Sequence, residues 1–254
     1  MEIIPAIDLR NGKCVRLYQG DYSRETIFSE DPAAMALRWQ GAGAKRLHLV
    51  DLDGAAAGEL RNAPVIEEIA HRVQIPVQVG GGIRQIETIN HLLDSGVSRA
   101  ILGTAAIEDP GLVEEACRKF GERIIVSIDA REGFVRGHGW KEGGKLTVNE
   151  VIHEMLQRGV KRFIYTDIAR DGTLSGPDFE EIAKVIARAR VPVIAAGGIA
   201  SVEHLKRLAE LGAEGAIVGR AIYTGDINLE EALTLTYLGS SPTPRSGSGT
   251  SPTT

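Results

Sequence analysis

The chain has 254 residues, 43% of them hydrophobic and 25% charged, with a formal net charge of −5. That is enough apolar material for a sizeable core, and the charge excludes a nucleic-acid or anionic-membrane surface, which needs clustered Lys and Arg. Cys14 and Cys117 are the only cysteines and lack metal-ligand spacing, so no disulfide framework, zinc site or other metal centre is expected and a reducing cytoplasm fits.

Glu2–Asp8 is an apolar run too short for a signal sequence or a membrane span. It opens a rhythm of short apolar runs, each ending in a polar residue or glycine, that alternate with segments of helical period. Strands are expected at Ile3–Asp8, Leu47–Asp51, Val77–Gly80, Ala100–Gly103, Ile124–Asp129, Phe163–Asp167, Val193–Ala196 and Ala216–Gly219. Asp31-Pro32 and Asp109-Pro110 pair an N-cap acceptor with a first-turn proline, while Gly41, Gly96, Gly121, Gly159 and Gly212 sit where a left-handed residue would end each helix. From Gly239 onward one charged and no large apolar side chain remains. The expected organisation is one domain over residues 1–238 and a disordered tail over 239–254.

An internal repeat divides the chain in half. One offset of 116 positions lays Ile75-Pro76-Val77, Gly81-Gly82-Ile83, Gly96, Ala100-Ile101 and Gly103 on Val191-Pro192-Val193, Gly197-Gly198-Ile199, Gly212, Ala216-Ile217 and Gly219, and Asp51 on Asp167. An offset of 121 lays the segment Ile3–Gly12 on Ile124–Gly133 and Asp8 on Asp129. Two (βα)₄ halves close an eight-stranded α/β barrel, a (β/α)₈ TIM barrel, whereas an open sheet gives no reason for such duplication.

Barrel strands aim their C-terminal ends into one mouth, where catalytic groups gather. Asp8 and Asp129 end the first and fifth strands and so face each other, the geometry of a general base and a general acid. Gly81-Gly82 with Gly103-Thr104, and Gly197-Gly198 with Gly219-Arg220, form a matched pair of phosphate cradles. A ligand with a phosphate at each end follows from that symmetry. Arg84 is placed to reach a phosphate. Asp51, Thr166, Asp167, Asp171 and Thr173 are candidates for holding sugar hydroxyls or supporting the catalytic pair, with turn roles an equal reading for Asp51 and Asp171. Trp140, between glycines after the fifth strand, reads as the stacking face of a lid. The other histidines, His48 among them, read as structural.

Taken together, Pro5–Gly12, His48–Gly54, Gly80–Arg84, Gly137-His138-Gly139-Trp140, Thr166–Thr173 and Ala196–Ile199 closely resemble the HisA family, the phosphoribosylformimino-aminoimidazole-carboxamide ribotide isomerases of histidine biosynthesis. The resemblance runs from Met1 to Leu238. It implies an Amadori rearrangement of the aminoaldose ProFAR to the aminoketose PRFAR without cofactor or metal. In that chemistry Asp129 is the acid and Asp8 the base, Thr166 and Asp167 support the acid, and Trp140 closes over the imidazole. A monomer acting on a small bisphosphorylated ribotide, with no nucleic-acid or membrane partner, is expected.

Three alternatives share this fold. The related cyclase starts with Cys-Leu-Asp-Val, where this chain has Ala6-Ile7-Asp8-Leu9. A dual-substrate relative that also takes phosphoribosyl anthranilate shows Ser-Gly-Gly and Arg-Gly-Trp, where Gly80-Gly81-Gly82 and His138-Gly139-Trp140 stand here. A non-catalytic phosphometabolite-binding barrel has no use for both aspartates.

Overall fold

A computed structural model describes residues 1–136 and 146–238. Trp140 and the tail over 239–254 lie outside the described residues. The strands are β1 (Glu2–Arg10), β2 (Lys13–Tyr18), β3 (Asp21–Ser29), β4 (Leu47–Asp51), β5 (Val77–Gly80), β6 (Arg99–Leu102), β7 (Ile124–Arg131), β8 (Phe134–Val135), β9 (Phe163–Asp167), β10 (Val193–Ala196) and β11 (Gly215–Val218). Eight of them pair in parallel in the order β1-β4-β5-β6-β7-β9-β10-β11, and β11 returns to β1 with Ile3 opposite Ala216. The closed (β/α)₈ barrel expected from the repeat is therefore formed.

Binary patterning explains why the ring closes with helices outside. Residues of one parity, Ile4, Ala6, Ile101, Ile125, Ile164, Ile194, Ala196 and Ile217, make a small cluster inside the barrel. The other parity, including Ile3, Ile7, Leu49, Val79, Val126 and Phe163, packs outward against the helices in a larger cluster. Each isoleucine so buried contributes about 1.5–3 kcal/mol relative to exposure. The N-terminal floor is tied by Arg46 to Glu2 at 3.1 Å and by Arg162 to Glu214 at 2.6 Å, the two arginines being related by the offset of 116.

The strands begin or end within two residues of their expected limits. Three were not expected from the sequence: β2, β3 and β8. Where β1 turns into β2, Asn11 and Gly12 have φ of 49° and 73°. Where β7 turns into β8, Glu132 and Gly133 have 54° and 77°. Two successive left-handed residues match the right-handed twist of a two-residue hairpin, so the repeat Ile3–Gly12 on Ile124–Gly133 encodes a hairpin in each half. The first is the longer. β2 and β3 project over the mouth, and the Gln19 backbone N–H donates to Asp171 O at 3.2 Å, fastening the hairpin to the loop after β9.

Asp31 and Asp109 cap their helices by accepting from Ala34 N and Leu112 N, as the Asp-Pro pairs predict. Gly41 is a correction. It is the last helical residue, and the left-handed position is Gly43 at φ 96°, because the helix runs on far enough for Trp39 to be buried. Gly96, Gly121, Gly159 and Gly212 all have positive φ. No described helix is long and apolar enough to cross a membrane.

Candidate active site

Asp8 lies on β1 and Asp129 on β7, the first and fifth strands around the ring. Both line one cleft of about 310 Å³ at the C-terminal mouth, together with Arg16, His48, Ser127, Thr166 and Asp171. Neither aspartate caps a turn. Ser127 donates to Asp129 Oδ1 at 3.1 Å, and Thr166, opposite Asp129 in the β7–β9 register, also hydrogen-bonds its carboxyl. Burial pushes the Asp129 carboxyl above the ordinary carboxylate range, opposed by those two hydroxyls and assisted by Asp171. Burial likewise pushes Asp8 up to about 6, opposed by Arg16 and assisted by Asp171. A carboxyl near 6 is still ionised at neutral pH yet basic enough to accept a proton, which suits a general base.

Arg16 organises this mouth. It is carried on β2, with its side chain 9% exposed. Its guanidinium stands 3.0 Å from Asp8 and 3.8 Å from Asp171. The alternation of β2 turns Cys14 and Arg16 to one side, and the hairpin places that side over the end of β1. The sequence did offer a signal for it, an arginine within the apolar run Cys14-Val15-Arg16-Leu17.

The two glycine cradles come out as a symmetric pair. Gly81 and Gly197 have φ of 99° and 94°. A Cβ on Gly81 would collide with the backbone carbonyl of Asp51, and one on Gly197 would come within 2.5 Å of that of Asp167. Only glycine lets these chains pass so closely. Gly103 and Gly219 each precede a short helix at nearly equal dihedrals, φ −98° and ψ −111° against φ −101° and ψ −107°. Gly81, Gly82, Arg84, Gly103 and Thr104 line one end of the main cleft. Gly197, Gly198, Gly219 and Arg220 line an adjoining pocket of about 30 Å³, where the Arg16 guanidinium lies over Gly219. Arg220 donates to Gly172 O at 2.7 Å, which orients it along this second cradle, and Arg84 pairs with Glu108 at 2.7 Å on the rim of the first.

A sequence profile of the histidine biosynthesis protein family matches residues 2–228. The chain belongs to that family. Among curated relatives, the isomerase of 1-(5-phosphoribosyl)-5-((5-phosphoribosylamino)methylideneamino)imidazole-4-carboxamide from Dehalococcoides mccartyi is 56% identical over 91% of this chain and 95% of its own length. The enzymes of the same name from Picosynechococcus sp. and Bacillus cereus are 52% and 49% identical, over 92% and 94% of this chain and 92% and 100% of their own lengths.

Within this histidine biosynthesis barrel, three residues singled out in the sequence stand away from the mouth. Asp51 is fully buried and its carboxylate accepts from Gly54 N, Arg61 N, Asn62 N and Asn62 Nδ2. With every lone-pair direction occupied, it builds the loop after β4. Asp167, its counterpart in the second half, accepts from Ala169 N at 3.0 Å and pairs with Arg170 at 3.1 Å. The acid that reaches the mouth is Asp171. Thr173 donates to Arg170 O at 2.6 Å and closes a turn. Conversely His48, read as structural, lines the cleft, opposite Ala6 in the β1–β4 register. Inward parity on β4 gave that signal, since His48 and Val50 alternate with the outward Leu47 and Leu49. The described residues contain no group of three or more His, Cys, Asp or Glu side chains placed to hold a metal ion.

Proposed function

We propose that this protein isomerises ProFAR to PRFAR in histidine biosynthesis, with Asp8 as general base and Asp129 as general acid. The observation that carries the reading is the pairing of two opposed, buried carboxyls with two opposed glycine cradles in one mouth. The name its relatives bear specifies two 5-phosphoribosyl groups. A molecule with a phosphate at each end spans two cradles and lays its central sugar between the aspartates.

In the proposed sequence protonated Asp129, held by Ser127 and Thr166, gives its proton to the ribose ring oxygen. The C1–O bond breaks and a Schiff base forms. Ionised Asp8 then takes the proton from C2, leaving an enolamine. Return of a proton to C1 from Asp8, and of the C2 hydroxyl proton to Asp129, completes the aminoketose and resets both carboxyls. Every proton taken is returned, so the step is an isomerisation with no net redox. Arg16 keeps Asp8 ionised by its charge and steadies Asp171 alongside. The cationic Schiff base is the species that two carboxylates favour most, and a low-dielectric mouth strengthens that interaction. The cytoplasm is the proposed location.

Turnover of ProFAR followed spectroscopically, in the parent and in Asp8→Asn and Asp129→Asn, tests the assignment. Loss in both variants with the fold retained supports it, and unchanged turnover in either removes that residue from the pair.

A further inference from the structure

The twofold repeat of the barrel is broken at a buried pair of residues. In the β4–β5 register His48 stands opposite Gln78. The offset of 116 carries this pair onto Ile164 and Ile194, which stand opposite each other in the β9–β10 register and belong to the apolar cluster inside the barrel. The scaffold therefore fills the equivalent volume with two isoleucines in one half and with an imidazole and an amide in the other. Burying those polar groups is costly unless they are satisfied, and satisfaction is partial. Gln78 Nε2 is 3.1 Å from His48 Nδ1, while Gln78 Oε1 is buried with no hydrogen-bond partner. Packing alone gives no reason for the exchange.

His48 lines the cleft, and Gln78, fully buried, stands behind it. Burial and the nearby Arg16 push the His48 imidazole down to about 3, so it is neutral and one ring nitrogen carries the only N–H. If the amide were reversed, both of its N–H donors would be stranded in the barrel interior. The observed orientation strands the oxygen and one N–H, one donor fewer, which is the lesser penalty.

We propose that Gln78 is a positioning residue, donating from Nε2 to His48 Nδ1 and so fixing the Nε2–H tautomer, which presents a hydrogen-bond donor to an oxygen of the ribotide on the cleft floor. This rests on the ribotide reading above. It gives a symmetric barrel one asymmetric contact with which to tell apart the two ends of its ligand.

The test begins with two-bond proton–nitrogen correlation spectra of ligand-free protein carrying ¹⁵N-histidine, with His48→Asn used for assignment. The expected spectrum shows a protonated Nε2 and a bare Nδ1 at His48. In Gln78→Met, of similar length without the amide, the two tautomers mix, and KM for ProFAR rises about two- to threefold, in proportion to the Nε2–H fraction lost, while kcat stays within about threefold. The double variant His48→Ile/Gln78→Ile copies the opposite half, so it is expected to fold even if Gln78→Met does not, and to raise KM roughly tenfold, as for the loss of one uniform binding contact. Protonated Nδ1 in the parent overturns the proposal, as does an unchanged tautomer in Gln78→Met or an unchanged KM in the double variant. A protonated Nε2 in a protein that turns over no ProFAR defeats the substrate reading instead and leaves the tautomer lock standing.

Discussion

The guanidinium of Arg16 stands 3.0 Å from the carboxylate of Asp8, with the two side chains 9% and 13% exposed. Burial raises the Asp8 carboxyl to about 6 and Arg16 opposes that rise. A base works when ionised, so kcat/KM falls as pH drops through about 6. Replacing Arg16 by Met removes the opposing charge, raises the carboxyl further and moves the acid limb upward by about one unit or more. Profiles of kcat/KM against pH for parent and variant, with the same substrate, measure the shift. A limb that stays in place detaches Asp8 from it.

Thr166 acts on the other carboxyl in the opposite sense to burial. Its hydrogen bond lowers Asp129 towards the ordinary range. In Thr166→Val that support is lost, Asp129 holds its proton to higher pH, and the basic limb of kcat/KM moves up by about half a unit to one unit. An acid must be protonated to act, so a limb moving down would contradict the assigned role.

Asp51 serves as a contrast. Its carboxylate accepts four hydrogen bonds within the loop after β4, so Asp51→Ala is expected to lose about 3 kcal/mol of stability while the pH profile of the remaining activity keeps its shape. Urea denaturation and the same pH profile measure the two effects.

Glycines of the cradles divide by space. Gly197 has φ 94° and its Cβ would come within 2.5 Å of Asp167 O, so Gly197→Ala is expected to cost about 2–4 kcal/mol and to open the cradle. Gly103 has nothing within 4 Å of a Cβ, and Gly103→Ala is expected to cost about 1 kcal/mol or less. Thermal denaturation of the two variants compares them directly.

The barrel was legible because its signals are local and repeated. Alternating runs, Asp-Pro caps and the two offsets each specify structure over a few residues. Asp8, Asp129 and the glycines were legible because they lie within two residues of strand C-terminal ends, and those ends share one mouth. Arg16 was not, since its place depends on how far the β2–β3 hairpin reaches over the barrel, and hairpin length leaves little mark beyond two turn residues. His48 was hidden in a strand interior whose parity decides everything. Asp167 ends β9 and Asp171 lies four positions further on in the loop that follows, and only the fold of that loop, held by Thr173 and Arg170, decides which of them reaches the mouth.

The central claim is that two opposed aspartates isomerise a doubly phosphorylated ribotide. The most direct measurement is single-turnover conversion of ProFAR by the purified protein and by Asp8→Asn and Asp129→Asn, each checked for fold by circular dichroism and for ligand binding by calorimetry. The account predicts conversion by the parent, and in each variant binding within about tenfold of the parent with conversion reduced by about a thousandfold or more. Full conversion by either variant, or none by a folded, ligand-binding parent, would contradict it.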